Sequence, residues 1–472
     1  MEAGFDQQRL ILVSNGEPYQ HVYGKKQIEQ QKLAGGLTTG LDPLMQAEGG
    51  IWIAWGRGEA DFEVLDQQNK VKVPDKTGYT LKRVELAEAE RDNFYYGFAN
   101  EVMWPVCHGF IDKANFKPQY WKSYQQVNKK YGASILEELQ ADDLVWIHDY
   151  HLALVPDILK KQSESVKLAF FWHIPWPDWN SFRTIPWRNE ILSAMLESDF
   201  IAFHTQSFVD NFLRCAKKLG MEVDFEEQLV FNQGHRLKVT SIPLGIDYQG
   251  FEDLVASPDY CQKVSQIKND YQTDKLVFAV DRLDYTKGIE ERLDAINEFF
   301  ASYPDYRGKV TFVQRIAPSR TQVAEYQQMK QQIDEKVAAI NGKYQQDDWI
   351  PIKYFYGIVP QADLLPYYKA ADLALITPLI DGMNLVAKEY LAVQEDGVLL
   401  LSEFAGAAEY LSNAIQINPY HTAEVAAAIF EALEMPSKAK QDRLQAAKTK
   451  LKKYDINWWR DHFIDSWLAC YE

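Results

Sequence analysis

Short apolar runs recur along the chain, at Leu10–Ser14, Leu144–His148, Leu168–His173, Phe200–His204, Val239–Ile242, Leu276–Val280, Val310–Val313, Ile352–Tyr356, Leu373–Ile376 and Val398–Leu401. Between them lie stretches such as Ile289-Glu-Glu-Arg-Leu-Asp-Ala-Ile-Asn-Glu-Phe-Phe300, whose apolar residues fall three and four apart. Runs of that length are too short for helices and too uniformly apolar for half-solvated strands. They predict strands buried on both faces, and their alternation with helices predicts parallel sheets in an α/β fold. A chain of 472 residues with 46% hydrophobic content exceeds what one core serves, so two domains are expected. The segment Pro243-Leu-Gly-Ile-Asp247 reads as the connection, giving domains 1–245 and 246–455 with a terminal segment 456–472. In that last segment Trp458, Trp459, Phe463 and Trp467 form an aromatic stripe, which is read as core packing.

Charge narrows the function classes. Fifty basic against 67 acidic residues leave a net charge of -17, which opposes non-specific binding to nucleic acid or an anionic membrane. Any phosphate site is therefore a local cluster of cations. Cys107, Cys215, Cys261 and Cys470 show no paired spacing, which argues against a zinc site or a disulfide framework and suits a reducing cytoplasm. The chain runs from Met1 almost directly into Leu10–Ser14 without a signal-like segment, and no apolar run approaches membrane-spanning length. The expectation is a cytoplasmic protein without nucleic-acid or membrane partners. The sequence leaves homo-oligomerisation open.

In open parallel sheets ligands gather at the carboxyl ends of the strands. Asn15, His148, Asp149, His173, His204 and Arg282 all fall at predicted strand ends. The segment Asp381-Gly-Met-Asn-Leu-Val-Ala-Lys-Glu-Tyr390 follows a strand and runs straight into a helix, whose first N–H groups are available to a sugar hydroxyl or phosphate. Asp381 and Glu389 add acceptors for hydroxyl donors. In Asp281-Arg-Leu-Asp-Tyr-Thr-Lys-Gly288, Arg282 and Lys287 bracket a tight loop that Gly288 closes before a helix. Two such cations suit a diphosphate. The chain contains no Asp-x-Asp, so a metal-bridged diphosphate of the usual acidic type is not expected, and His148 and His151 lack an evident third metal ligand. No metal and no cofactor is expected. Ala34-Gly-Gly-Leu37 offers a loop whose backbone can approach a ligand closely.

These residues carry a family resemblance. Val13-Ser-Asn15, Ala34-Gly-Gly-Leu37, Val102-Met-Trp-Pro105, Trp146-Ile-His-Asp-Tyr-His-Leu152, Phe171-Trp-His-Ile-Pro175, Arg282–Gly288, Ile340–Tyr344, Thr377–Tyr390 and Phe404-Ala-Gly-Ala-Ala408 occur in that order. The chain resembles the trehalose-6-phosphate synthase family of retaining glycosyltransferases, family twenty, which also contains glucosylglycerol-phosphate synthases. The resemblance implies a GT-B fold, two Rossmann-like domains with parallel sheets facing a central cleft, with the terminal helix crossing back to the first domain. It implies a nucleotide-sugar donor and a phosphorylated acceptor. Arg282 and Lys287 would bind the donor diphosphate, Glu389 the ribose, and Leu385 and Val386 the nucleotide side of the loop. Asp381, the backbone of Met383 and Asn384, His173 and Gly36 would hold the transferred glucose. Tyr95, Trp104, Asp149 and Arg320 would form the acceptor side, Arg320 taking the acceptor phosphate.

One departure stands out. Many relatives carry an arginine directly after Val-Ser-Asn that helps grip the acceptor phosphate, whereas this chain has Gly16. Lys25, Lys26, Lys32 and Arg188 are the candidates to compensate. The family pattern further implies front-face attack, the leaving phosphate taking the acceptor proton while Arg282 and Lys287 stabilise its charge, with Asp149 and His173 beside the reacting sugars. Transfer to glucose 6-phosphate, transfer to glycerol 3-phosphate or another acceptor, and a catalytically silent sugar-phosphate sensor remain as three readings.

Overall fold

The computed structural model describes residues 8–33, 35–232, 234–271, 273–319 and 324–472. It divides into two compact units, residues 1–244 with 457–472, and residues 245–456.

Unit 1 is built on seven mutually parallel strands: β1 (Leu10–Gly16), β2 (Ile51–Trp55), β3 (Tyr79–Val84), β4 (Leu144–His148), β5 (Lys167–Phe171), β6 (Phe200–Phe203) and β7 (His235–Ser241). Their order across the sheet is β7-β6-β5-β4-β1-β2-β3, with antiparallel edge strands Lys70–Val73 beside β3, and Leu229–Asn232 then Glu222–Asp224 beside β7. Ile11, Leu12 and Val13 of β1 and Leu144 to Ile147 of β4 are fully buried, as strands covered on both faces require. The chain reverses its direction of sheet growth between β1 and β4, and the strand ends there form a topological switch point. After β1 the chain folds as a hairpin of Tyr19–Tyr23 on Ile28–Lys32. β2 and β3 were not among the predicted strands.

The terminal helix Ile456–Leu468 lies almost wholly within unit 1. Trp459, Phe463 and Trp467 are fully buried; Phe463 stacks on Trp146 of β4 with centroids 4.1 Å apart, and Trp459 meets Phe171 of β5 edge-on at 5.2 Å. Trp458 instead stacks on exposed His462 at 4.7 Å. The helix end is held by Tyr471, whose hydroxyl donates to Asp199 at 2.6 Å.

Unit 2 has six parallel strands, β8 (Lys275–Arg282), β9 (Val310–Ala317), β10 (Ile352–Tyr356), β11 (Leu373–Ile376), β12 (Val398–Ser402) and β13 (Ile415–Ile417), in the order β10-β9-β8-β11-β12-β13. The two-residue strand period sorts its side chains between two cores: Leu276, Phe278, Ala374 and Ile376 pack on one face, Val277, Leu373, Leu375 and Leu400 on the other. Its switch point falls between β8 and β11. Both sheets thus have the order of a doubly wound nucleotide-binding fold. Among the described residues no helix is long and apolar enough to cross a membrane.

Candidate active site

The switch point of unit 2 gathers most of the residues expected on the donor side. Arg282 is the last residue of β8, and a single 3-10 turn, Tyr285–Lys287, follows it. Asp284 caps that turn by accepting the Thr286 N–H at 3.1 Å. Gly288 ends it at φ 60°, and a Cβ there would lie 2.1 Å from the Thr377 carbonyl oxygen, so conformation and space both demand glycine. The loop after β11 is stitched to this turn: Leu379 N–H donates to the Thr286 carbonyl at 2.7 Å, and the Thr377 hydroxyl to that of Gly288 at 3.2 Å. Beneath them, buried Arg292 pairs with Asp281 at 2.8 Å and reaches the Leu375 carbonyl at 3.4 Å. The result is a rigid platform for Lys287, whose ammonium meets Asp381 at 2.6 Å.

Asp381 organises its own loop. Its carboxylate accepts from the Met383 N–H at 3.4 Å and the Asn384 amide at 3.1 Å, while its backbone is clamped to Phe404 and Gly406 after β12. Asn384 sits at φ 77° and caps the helix Leu385–Val393 by accepting the Ala387 N–H at 3.1 Å. Leu385 and Val386 open the helix, so their N–H groups have no acceptor within it. Glu389, one turn on, accepts from Gln361 at 3.0 Å and Tyr368 at 3.3 Å; burial pushes it up to about 7, against those two bonds. Arg282, Lys287, Asp381, Met383, Asn384, Leu385, Val386 and Glu389 therefore share one strand-end region.

The switch point of unit 1 carries the other group. His148, the fully buried end of β4, lies with Nδ1 3.1 Å from His173 Nε2, just beyond the end of β5. Burial holds His173 down at about 3 and His148 well below the ordinary range, so both rings are neutral. Asp149 adopts φ 73°, ψ 161°, a region that costs a residue other than glycine on the order of 1–3 kcal/mol. Its N–H donates to the Phe171 carbonyl at 2.8 Å and its carboxylate accepts the His173 N–H at 3.2 Å, so the strained turn aims the side chain along β5. Burial pushes that carboxyl up to about 7. Tyr95 lies in a π-helix, Asp92–Met103, and stacks on His151 at 5.8 Å; Tyr150 links His151, at 4.0 Å, to Trp104, at 6.3 Å. Tyr95, Trp104, Asp149 and His173 thus belong to one region of unit 1 rich in aromatic rings and neutral histidines. Gly36 opens the helix Gly36–Glu48 in the same unit. Arg320 and Ala34 lie outside the described residues.

Two features at these strand ends escaped the sequence reading. Arg83 of β3, fully buried, pairs with Glu17 at 2.8 Å and Asp61 at 2.9 Å, joining the loops after β1 and β2. Burial, then its bond to Asp61, pushes Glu17 up to about 8. Arg57, just past β2, places its guanidinium beside Gly16. The missed signal was Ile51-Trp-Ile-Ala-Trp55, an apolar run like the others, with an arginine at its end. Of the candidates expected to compensate for Gly16, Lys32 is paired with Asp42 at 2.7 Å and Arg188 donates to the Ile185 carbonyl at 3.3 Å. Lys25 and Lys26 occupy the exposed turn of the hairpin.

Among the described residues no group of three or more His, Cys, Asp or Glu side chains is arranged to hold a metal ion. Comparison with known proteins agrees with the two-sheet geometry. A bifunctional trehalose-6-phosphate synthase/phosphatase of Thermoproteus tenax is 38% identical over 98% of this chain, which spans 64% of that longer protein. The E. coli trehalose-6-phosphate protein bound with UDP-2-fluoro glucose superposes with a TM-score of 0.89 at 33% identity, covering 98% of this chain and 99% of that one. An alpha,alpha-trehalose-phosphate synthase (UDP-forming) of Burkholderia xenovorans in complex with glucose-6-phosphate gives 0.87 at 30% identity, covering 98% and 100%. With residues 8–468 also matching the family as a whole, two doubly wound sheets with these strand-end groups place the chain in glycosyltransferase family 20.

Proposed function

We propose that the chain transfers glucose from UDP-glucose to glucose 6-phosphate with retention, forming trehalose 6-phosphate. The observation that carries this reading is the Lys287–Asp381 pair at the unit 2 switch point. It sets a cation suited to a diphosphate beside a carboxylate suited to sugar hydroxyls. In the transfer, the bond from glucose C1 to the diphosphate oxygen breaks as a bond from C1 to the acceptor hydroxyl oxygen forms on the same face. The acceptor proton passes to the departing phosphate oxygen, whose charge Arg282 and Lys287 stabilise electrostatically. Asp381, the Met383 and Asn384 backbone and neutral His173 hold the glucose, and Glu389 the ribose. Asp149 orients the acceptor hydroxyls, with Tyr95 and Trp104 supplying flat apolar surface. No carboxylate nucleophile and no metal enters these steps.

Relatives named as UDP-forming synthases support the donor, and the Burkholderia complex with glucose-6-phosphate supports the acceptor. A cytoplasmic setting fits four free cysteines. The test is UDP release from UDP-glucose with glucose 6-phosphate, glycerol 3-phosphate and unphosphorylated glucose, with products identified. Glucose 6-phosphate is expected to be the fastest acceptor. Faster turnover with glycerol 3-phosphate would reassign the acceptor, and silence with every donor and acceptor would mark a sensor.

A further inference from the structure

Arg57 is an exposed cation held in place by aromatic rings. Its guanidinium lies 4.9 Å over the Trp55 ring and 5.3 Å over that of Tyr95, so two aromatic faces fix its plane. Nη2 is 3.4 Å from the Asn15 carbonyl and 3.6 Å from where a Cβ on Gly16 would stand. Among the described residues no carboxylate pairs with this guanidinium, although the chain carries a net charge of -17. Glu17 is engaged by other groups: it accepts the Arg57 backbone N–H at 2.9 Å and the Arg83 guanidinium at 2.8 Å. Asp61 accepts the Gly58 N–H at 2.6 Å, so the Gly56–Gly58 turn is fastened on both sides of Arg57. The turn stands at the carboxyl ends of β1 and β2, next to the switch point where Asp149 and Tyr95 line the acceptor region.

We propose that Arg57 binds the phosphoryl group of the acceptor, reaching from the neighbouring strand end into the space that Gly16 leaves open. A Cβ at position 16 would stand in ordinary contact with the guanidinium, 3.6 Å away, and a longer side chain there would compete with it for the same space. Gly16 and Arg57 therefore form one device: the glycine makes room and the arginine supplies the charge from a stacked position. This rests on the reading of the chain as a transferase with a phosphorylated acceptor.

Two measurements test it. In steady-state kinetics Arg57→Ala is expected to raise the KM for glucose 6-phosphate about tenfold to a hundredfold, the range of one charge-assisted hydrogen bond. The kcat and the KM for UDP-glucose should move little, because a contact equal in ground and transition states affects acceptor binding alone. Arg57→Lys should recover part of the loss, keeping the charge and losing the stacking fork, and Gly16→Arg should rescue the Arg57→Ala background while weakening the parent. An unchanged KM in Arg57→Ala, or an equal loss with unphosphorylated glucose, overturns the assignment. Calorimetric titration of glucose 6-phosphate into the parent protein and into Arg57→Ala reads the same contact without turnover. A tenfold or greater weakening is expected, and equal affinity overturns the proposal. Should the parent bind glucose 6-phosphate through Arg57 yet transfer no glucose, the transferase reading fails and the site stands.

Discussion

The two switch points share a topology and differ in chemistry. In unit 2 the strand ends present charge: Arg282 and Lys287 come from one loop, Asp381 from the next, and a helix start adds further N–H groups. In unit 1 they present neutral histidines, a carboxyl pushed up to about 7 and aromatic rings, with Arg57 as a cation at the margin. A doubly wound sheet settles where a ligand goes, and the side chains at the strand ends settle which ligand. A polyanion needs fixed charge. A sugar needs oriented hydrogen bonds and flat apolar surface.

The largest effect should follow from removing that fixed charge. Arg282→Ala or Lys287→Ala is expected to lower kcat about 10²–10³-fold, the range for one lost electrostatic donor. Undiminished turnover in either variant would break the assignment of unit 2 to the diphosphate. Next comes the platform beneath it: Gly288→Ala forces a Cβ to within 2.1 Å of the Thr377 oxygen at φ 60°. Backbone strain alone is worth roughly 1–2 kcal/mol, so a lower melting temperature and weaker UDP binding are expected together. A variant as stable and tight-binding as the parent would show that the loop adapts.

Asp149→Asn sharpens the contrast from the other side. The Asp149 carboxyl rises from an ordinary value near 3.8 to about 7 because of burial, so its folded pKa is raised. The stability associated with its protonated form is complete below the unfolded pKa and is lost as pH rises through about 7. Asn abolishes this loss. The variant should therefore gain thermal stability relative to the parent at pH 8, by roughly 1–2 kcal/mol after discounting for partial exposure, and much less at pH 4. Its transfer rate should fall while donor binding holds. A stability difference that does not depend on pH would show that the carboxyl titrates normally. The smallest effect is expected from excess EDTA, in which activity should persist if Arg282 and Lys287 take the role of a metal at the diphosphate, as proposed. Loss restored by magnesium or manganese would break that reading.

Much of the fold was legible because strands buried on both faces leave uninterrupted apolar runs, as in β1, β4, β5 and β8. Where strand and loop chemistry mixed, the reading failed: Tyr79–Val84 carries buried Lys82 and Arg83, and the hairpin at Tyr19–Lys32 is largely polar. In unit 2 the charged residues lie within loops that directly follow a strand, so local spacing exposed them. In unit 1 the aromatic partners come from a π-helix, a short α-helical turn and a 3-10 turn, separate segments that no single period captures.

The α/β character and the parallel sheets are written into local segments, because burial and strand period act over a few neighbouring residues. Which strand ends meet is fixed at long range. Lys287 and Asp381 are 94 residues apart in sequence and paired at 2.6 Å, and Arg57 reaches the place of a side chain that Gly16 lacks. The reason is physical: strand order is set by crossover connections and by the packing of whole sheet faces, and these long-range terms leave no mark on any single segment.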